Sequence, residues 1–257
     1  MANHIKVLLL AGSMVLTTGI VNAQSFKSIV NQVENDVNNP NKINNNGQNS
    51  NSFQNLSNSD VIAALKQALQ IGAQNSSKKL NAVDGYFGNP LIKIIMPPQA
   101  EKVEKTLRDL GLGDVVDKAI LSMNRAAEDA AIKAAPIFIN AIASMSIQDG
   151  LSILRGGNGA ATNYLKSKTS QQLTDAFKPV ISQSLDKVNA TKYWSDVFNA
   201  YNQLPTTFNK VNPDLTSYVT QKALDGLFVT IASEENKIRN NASARVTDLL
   251  QKVFGAH

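Results

Sequence analysis

Apolar residues recur every three or four positions from Ser57 almost to the C-terminus, a spacing that admits an α-helical fold and little else. Ser57 and Asp60 have the spacing of a helix-starting cap, and Ile62, Leu65, Leu69, Ala73 and Leu80 then share one face. Asn81 to Pro90, rich in Gly and Asn, predicts a loop. Leu91 to Met96 is an apolar hexamer that predicts a short strand or extended segment, closed by Pro97 and Pro98. Pro98 suits the first turn of a helix reaching Leu110, with Gly111 as its stop. Asp114 is placed to cap a helix running towards Ala135, where Pro136 ends or kinks it before Ile137 to Met145. Ser146 and Asp149 start a helix that stops at Gly156 and Gly157. Asn158 opens a short one through Leu165, and Thr169 with Gln172 reads as a capping box for Ser170 to Val188, bent or relayed at Pro179. Further helices are expected over Lys192 to Leu204, Pro213 to Ile238 and Ala242 to Phe254. The fold class is therefore all-α, a single multi-helix domain over residues 57–255 with one short extended segment near Leu91–Met96.

The N-terminus carries a different message. Met1 to Lys6 is a short basic start, and Val7 to Val21 is an apolar run too short to span a bilayer. Val21-Asn22-Ala23 ends it with the small-x-small pattern of a signal-peptidase site, so residues 1–23 read as a secretory signal peptide. No cysteine follows that could carry a lipid anchor. The expected mature chain begins near Gln24, exported, in the periplasm. Residues 24–56 read as an asparagine-rich tether: twelve asparagines fall between Asn31 and Asn58. So polar a segment cannot bury enough apolar area to offset its ordering entropy, which predicts disorder and a spacer role. A short amphipathic helix around Phe26, Ile29, Val30 and Val33 is compatible with the residues just before it. No run of 18 apolar residues follows the signal, so no transmembrane segment is expected after processing.

Composition removes more chemistry than any motif adds. The sequence has no cysteine and two histidines, His4 in the signal and His257 at the end. The processed domain thus cannot build a Ser-His-Asp or Cys-His pair, nor a zinc site of the usual nitrogen and sulfur ligands. Catalysis would have to rest on carboxylates, Lys, Tyr, Ser-Lys arrangements or an oxygen-bound cation. The net charge of +5 is spread among interspersed acids and bases, a poor footprint for nucleic acid.

Three constellations stand out. On the Asp114–Ala135 helix, Val116, Ala119, Ile120, Met123, Ala126, Ala127, Ala130 and Ala134 make a mostly small face suited to close packing. Leu121, Arg125, Glu128 and Ile132 fall in one stripe on the far side. A charged couple flanked by aliphatics is expected to be partly covered, either as a structural ion pair or as a polar centre in which Arg125 binds an anion and Glu128 orients it. Gly156-Gly157-Asn158-Gly159 leads into Ala160-Ala161-Thr162, where backbone N–H groups can hold an anion; a C-cap glycine beside an N-cap asparagine is the simpler reading. Trp194, Phe198 and Tyr201 share a helix face, which reads as core more readily than as a ligand cage. The segment Ala223 to Ile231 is apolar on nearly every side apart from Asp225, which makes that helix central. Glu235 and Arg239, four apart, read as an ion pair on a solvated face.

The block Ser122-Met123-Asn124-Arg125-Ala126-Ala127-Glu128 continues through Ala135-Pro136-Ile137-Phe138, Asp149, Ile153-Leu154, Gly156, Ala160-Ala161-Thr162 and Tyr164. With Asp84-Gly85-Tyr86-Phe87 and Pro97-Pro98 upstream, it resembles the bacterial domain of unknown function 4197. The tail Asp225-Gly226-Leu227-Phe228, Glu234-Glu235, Ile238-Arg239, Leu249-Leu250 and Val253-Phe254-Gly255 is similar to that family's C-terminal signature. The resemblance covers about Ser57 to Gly255 and implies an exported helical protein without an assigned activity. Two departures are Gly150, where the family favours alanine, and Asn241-Ala242, where a proline is common.

The functional expectation is a non-enzymatic periplasmic protein that binds a small amphiphilic ligand or another envelope protein. The candidate ligand-binding residues are Arg125, Glu128, Asp149, Thr162 and Tyr164. No catalytic residue, metal ligand or cofactor is assigned. The alternative is a hydrolase using carboxylates, with Glu128 or Asp149 as base beside Arg125, which requires the two to converge on a cleft.

Overall fold

In a computed structural model, the described residues are 58–203, 210 and 214–240. The signal peptide, the tether, the Ser57 cap, the start of the expected helix at Pro213, the helix over Ala242–Phe254 and the Asn241-Ala242 departure lie outside them. Eight α-helices follow in order: α1 (Asn58–Asn81), α2 (Glu101–Asp109), α3 (Gly113–Ala131), α4 (Ala134–Ala143), α5 (Ile147–Arg155), α6 (Ala160–Asp186), α7 (Ala190–Asn202) and α8 (Leu215–Asn240). A single 3₁₀ turn, Pro98–Ala100, leads into α2. No strand occurs among the described residues, and the domain is all-α.

The small face expected on α3 lies at the centre. Ala126, Ala127 and Ala130 of that face are fully buried, Val116, Ile120 and Met123 continue it and Ala119 is half-buried, while Ala134, also fully buried, is the first residue of α4. Side chains this short let helices approach closely, and α6 packs extensively on both α3 and α8. α1 runs across α3, α4, α5 and α8, burying Ile62, Leu65, Ala73 and Leu80. Trp194 and Phe198 join the core with ring centroids 4.4 Å apart, while Tyr193 is exposed.

The break between α3 and α4 falls at Ile132 and Lys133, before Pro136 itself. Proline lacks the N–H that would bond the carbonyl four residues back, and its ring crowds that carbonyl, which here belongs to Ile132. Of the expected extended hexamer Leu91–Met96, Leu91 and Ile92 instead close a turn in which the Ile92 and Lys93 N–H groups donate to the Asn89 carbonyl, and residues 93–96 run on with no strand to pair with among the described residues. Ile92, Ile94 and Met96 point inward and Leu91 and Ile95 outward. The Asn124 carboxamide takes the place of a neighbouring strand: the Ile94 N–H donates to its Oδ1 (2.8 Å) and its Nδ2 donates to the Ile94 carbonyl (2.7 Å).

Three expected helix starts are corrected. α3 begins at Gly113 with Asp114 in its first turn, not at its cap. Gly159, with φ +85°, caps α6 in place of Asn158; a left-handed backbone suits a residue without Cβ. The two helices expected over Asn158–Leu165 and Ser170–Val188 are one continuous α6 that passes through Pro179. Thr169 lies inside it, fully buried, and its hydroxyl donates to the Leu165 carbonyl at 2.7 Å. A threonine hydroxyl can cap a new helix or bond back into an existing one. Burial of Leu165, Leu173 and Phe177 along one continuous face decides for the second.

Candidate functional site

α6 and α8 lie antiparallel: Thr162, early in α6, meets Glu235, late in α8, and Lys178, late in α6, acts electrostatically on Asp214 before α8. Between them is an open groove of about 260 Å³. Its α6 wall is Lys166, Ser170, Thr174 and Lys178, spaced four apart and so in one row. Its α8 wall carries Leu224 and Phe228 as the apolar floor, with Ser217, Thr220, Gln221 and Asp225 beside them. Ser170 and Thr174 donate to Lys166 and Ser170 carbonyls within α6, and Thr220 to Thr216 within α8. The hydrogens of these hydroxyls are thereby engaged within their own helices, which leaves the oxygens as acceptors. The Lys166 Nζ stands 5.7 Å from the Phe228 ring centroid. Asp214 accepts from the Ser217 hydroxyl and N–H, which hold its carboxyl below the ordinary aspartate value. Lys166 and Lys178 stand twelve residues apart, or about 18 Å along the helix.

The Gly-rich turn does hold an anion, and the anion is the protein's own. The Glu235 carboxylate accepts from the N–H groups of Ala161 (3.1 Å) and Thr162 (2.9 Å) and from the Thr162 hydroxyl (2.7 Å). It sits on the positive end of α6, where orphan N–H groups and the helix dipole favour negative charge. Arg239 donates through Nε to the same carboxylate (2.9 Å) and through a terminal nitrogen to the Ile153 carbonyl (2.9 Å). Burial works to raise the Glu235 pKa, but the Thr162, Ala161 and Arg239 hydrogen bonds outweigh it and hold the carboxyl below its ordinary value. Glu235 and Arg239 are both buried, which corrects the solvated-face reading. Their i, i+4 spacing shows a pair; only the fold shows that the end of α5 and the start of α6 close over it.

Arg125 and Glu128 form the second network. The Arg125 guanidinium bonds Glu128 Oε2 at 2.5 Å and Asp84 Oδ1 at 2.7 Å. Glu128 Oε1 accepts from the N–H groups of Tyr86 and Phe87, both at 3.1 Å. Glu128 is 3% exposed, whereas the Arg125 side chain is 37% exposed, so the pair is covered on the carboxylate side only. The hydrogen bonds that Arg125 donates to Glu128 and then to Asp84 hold its pKa above the ordinary value. The Glu128 carboxylate fastens the Asp84–Phe87 loop to α3, and Tyr86, fully buried, donates its hydroxyl to the Ala223 carbonyl. Ile132, expected to cover the pair, is half exposed.

Asp149 belongs to a third network. It completes a capping box with Ser146: the Ser146 hydroxyl and N–H donate to its carboxylate, and its own N–H donates to the Ser146 hydroxyl. Those bonds lower its pKa. Tyr164 is half-buried, its hydroxyl pushed up by burial and by the charge of Asp149. The five sequence-derived residues thus divide among three networks, Arg125 with Glu128, Thr162 with Glu235, and Asp149 beside Tyr164. No hydrogen bond or ion pair joins the three among the described residues. The sequence does not show the groove, because a cap at Thr169 cuts α6 in two and hides the Lys166–Lys178 row.

Among family models, residues 55–255 match the one described as Protein of unknown function (DUF4197). No curated protein and no solved structure matches the chain.

Proposed function

The chain belongs to the DUF4197 family of proteins of unknown function, and on that premise we propose that it is an exported, non-enzymatic binding protein of the periplasm whose ligand lies in the α6–α8 groove. The observation that carries the reading is the groove itself, an apolar floor of Leu224 and Phe228 with Lys166 and Lys178 at its two ends. An apolar lining with a few placed polar groups is the usual make-up of a small-molecule site. An elongated single-chain amphiphile with an anionic head matches it: the tail covers Leu224 and Phe228 and a lysine meets the head. The hydrolase alternative gains no support, since Glu128 has both oxygens occupied in fastening a loop and Asp149 is the partner of Ser146 in a cap.

Native mass spectrometry of protein recovered from its own envelope tests the reading, together with binding of a fluorescent fatty-acid analogue. The expected results are a bound mass that organic solvent removes, and a chain beginning at Gln24. Lys166→Gln and Lys178→Gln should together weaken the probe at least tenfold, since one charge-assisted contact is worth about 1.5 kcal/mol. Leu224→Trp should block it by filling the floor. A clean apo mass with no probe binding would sink the proposal.

A further inference from the structure

The two lysines that end the α6–α8 groove are not equivalent. Lys178 has a carboxylate near it, since its charge acts on Asp214 just before α8. Asp214 in turn accepts from the Ser217 hydroxyl (2.5 Å) and N–H (2.9 Å), which fills the positive start of α8 with the protein's own negative charge. Glu235 fills the start of α6 in the same way. Lys166 is exposed and forms no ion pair among the described residues. Its Nζ stands 5.7 Å from the centroid of the Phe228 ring, part of the apolar floor. The remaining charge on the lining is Asp225, three residues before Phe228, or about 4.5 Å along α8. It pairs with neither lysine. An anion at Lys166 is thus attracted at its own end and repelled from the middle of the groove.

We infer that the groove holds its ligand in one direction, a singly charged anionic head at Lys166 beside Phe228 and a tail running past Leu224 towards Lys178, so that its ligands are single-chain monoanions. The inference deepens the groove reading proposed above and rests on it. A chain charged at both ends fits badly. Its second carboxylate would come to Lys178, whose charge Asp214 already answers, and would meet the Asp214 carboxylate as well. Between the two lysines, the Ser170 and Thr174 hydroxyls have spent their hydrogens on α6 carbonyls and present acceptors, which give an anion nothing to bond. Lys166 is therefore the residue that selects the head, and the direction of binding follows from it.

The protein carries its own reporter. Trp194, the single tryptophan of the chain, stacks on Tyr218 with ring centroids 6.3 Å apart, and Tyr218 follows Ser217 of the lining, so Trp194 reads the Lys178 end. The probes are spin-labelled stearic acids, one with its nitroxide beside the carboxylate and one with it far down the chain, added to the full chain freed of lipid on a hydrophobic resin. At equal occupancy the distal nitroxide should quench Trp194 more strongly than the proximal one. Lys166→Gln should weaken either probe about tenfold, the loss of one charge-assisted hydrogen bond. Lys166→Arg should restore it, and Lys178→Gln should weaken it only about twofold. Both lysines are exposed, so these variants should keep the native melting temperature. The α,ω-dicarboxylic acid of equal length should displace the probes at least tenfold less well than stearic acid. Stronger quenching by the proximal nitroxide, equal losses for the two lysines or equal displacement by the diacid overturns the inference while leaving the groove occupied. No binding of either probe in its nitroxide spectrum, or binding that Leu224→Trp leaves intact, removes the groove reading and this inference with it.

Discussion

Replacing Glu235 by alanine takes a carboxylate out of a buried site where four hydrogen bonds converge. The Ala161 N–H, the Thr162 N–H and the Thr162 hydroxyl lose their acceptor, and Arg239 loses its carboxylate while keeping the Ile153 carbonyl. Each buried donor left unmade costs about 1–3 kcal/mol. Breaking a buried ion pair by removing one partner costs about 3–5 kcal/mol. The two descriptions overlap because the same atoms are counted in both, so the expected loss is about 3–5 kcal/mol and not their sum. A domain of this size commonly has about 5–15 kcal/mol in hand, so the variant should fold but melt early. The pH dependence gives a sharper check. A carboxyl whose folded pKa lies below its unfolded value stabilises the fold above that unfolded value, near 4.3 for glutamate, and the contribution is lost as pH falls through the folded value. Glu235 is such a group. Urea unfolding of the native chain and of Glu235→Gln should therefore differ at neutral pH, and the difference should close as pH falls below about 4.3. Parallel curves down to low pH, or a loss under about 1 kcal/mol for Glu235→Ala, would refute the reasoning.

Two other substitutions test packing and the loop anchor. A Cβ on Gly150 would sit 2.5 Å from the Ile62 Cδ1, so Gly150→Ala should lose to that contact most of the roughly 1 kcal/mol that alanine gains in a helix. In an Ile62→Val background, which removes the Cδ1, the same change should raise stability by chemical denaturation; no difference between backgrounds would show that Ile62 yields freely. Glu128→Ala should cost about 3–5 kcal/mol, because the buried acceptor of two loop N–H groups disappears. Arg125→Ala should cost less, about 1–2 kcal/mol, since its side chain is 37% exposed and Glu128 keeps both amide donors. Equal losses, read by thermal melts with hydrogen exchange at Tyr86 and Phe87, would show that the ion pair rather than the loop contact matters.

Periodicity and cap chemistry in the sequence alone determined the all-α class, the loop before the apolar hexamer, the Ser146–Asp149 capping box and the Arg125–Glu128 contact. These are local: a helix face repeats every 3.6 residues, and residues three or four apart meet whatever else the chain does. The tertiary structure decided which local options were taken. Thr169 could begin a helix or bond back within one, and burial of the Leu165–Leu173–Phe177 face made α6 continuous. Glu235 and Arg239 could face water as any i, i+4 pair does, until the start of α6 came to rest on them. Ile132 could cover Arg125, but the backbone break four residues before Pro136 left it in solvent. The α6–α8 groove depends on residues as far apart as Lys166 and Phe228. No spacing rule links such positions, because their meeting is set by how two antiparallel helices pack and not by the chain between them.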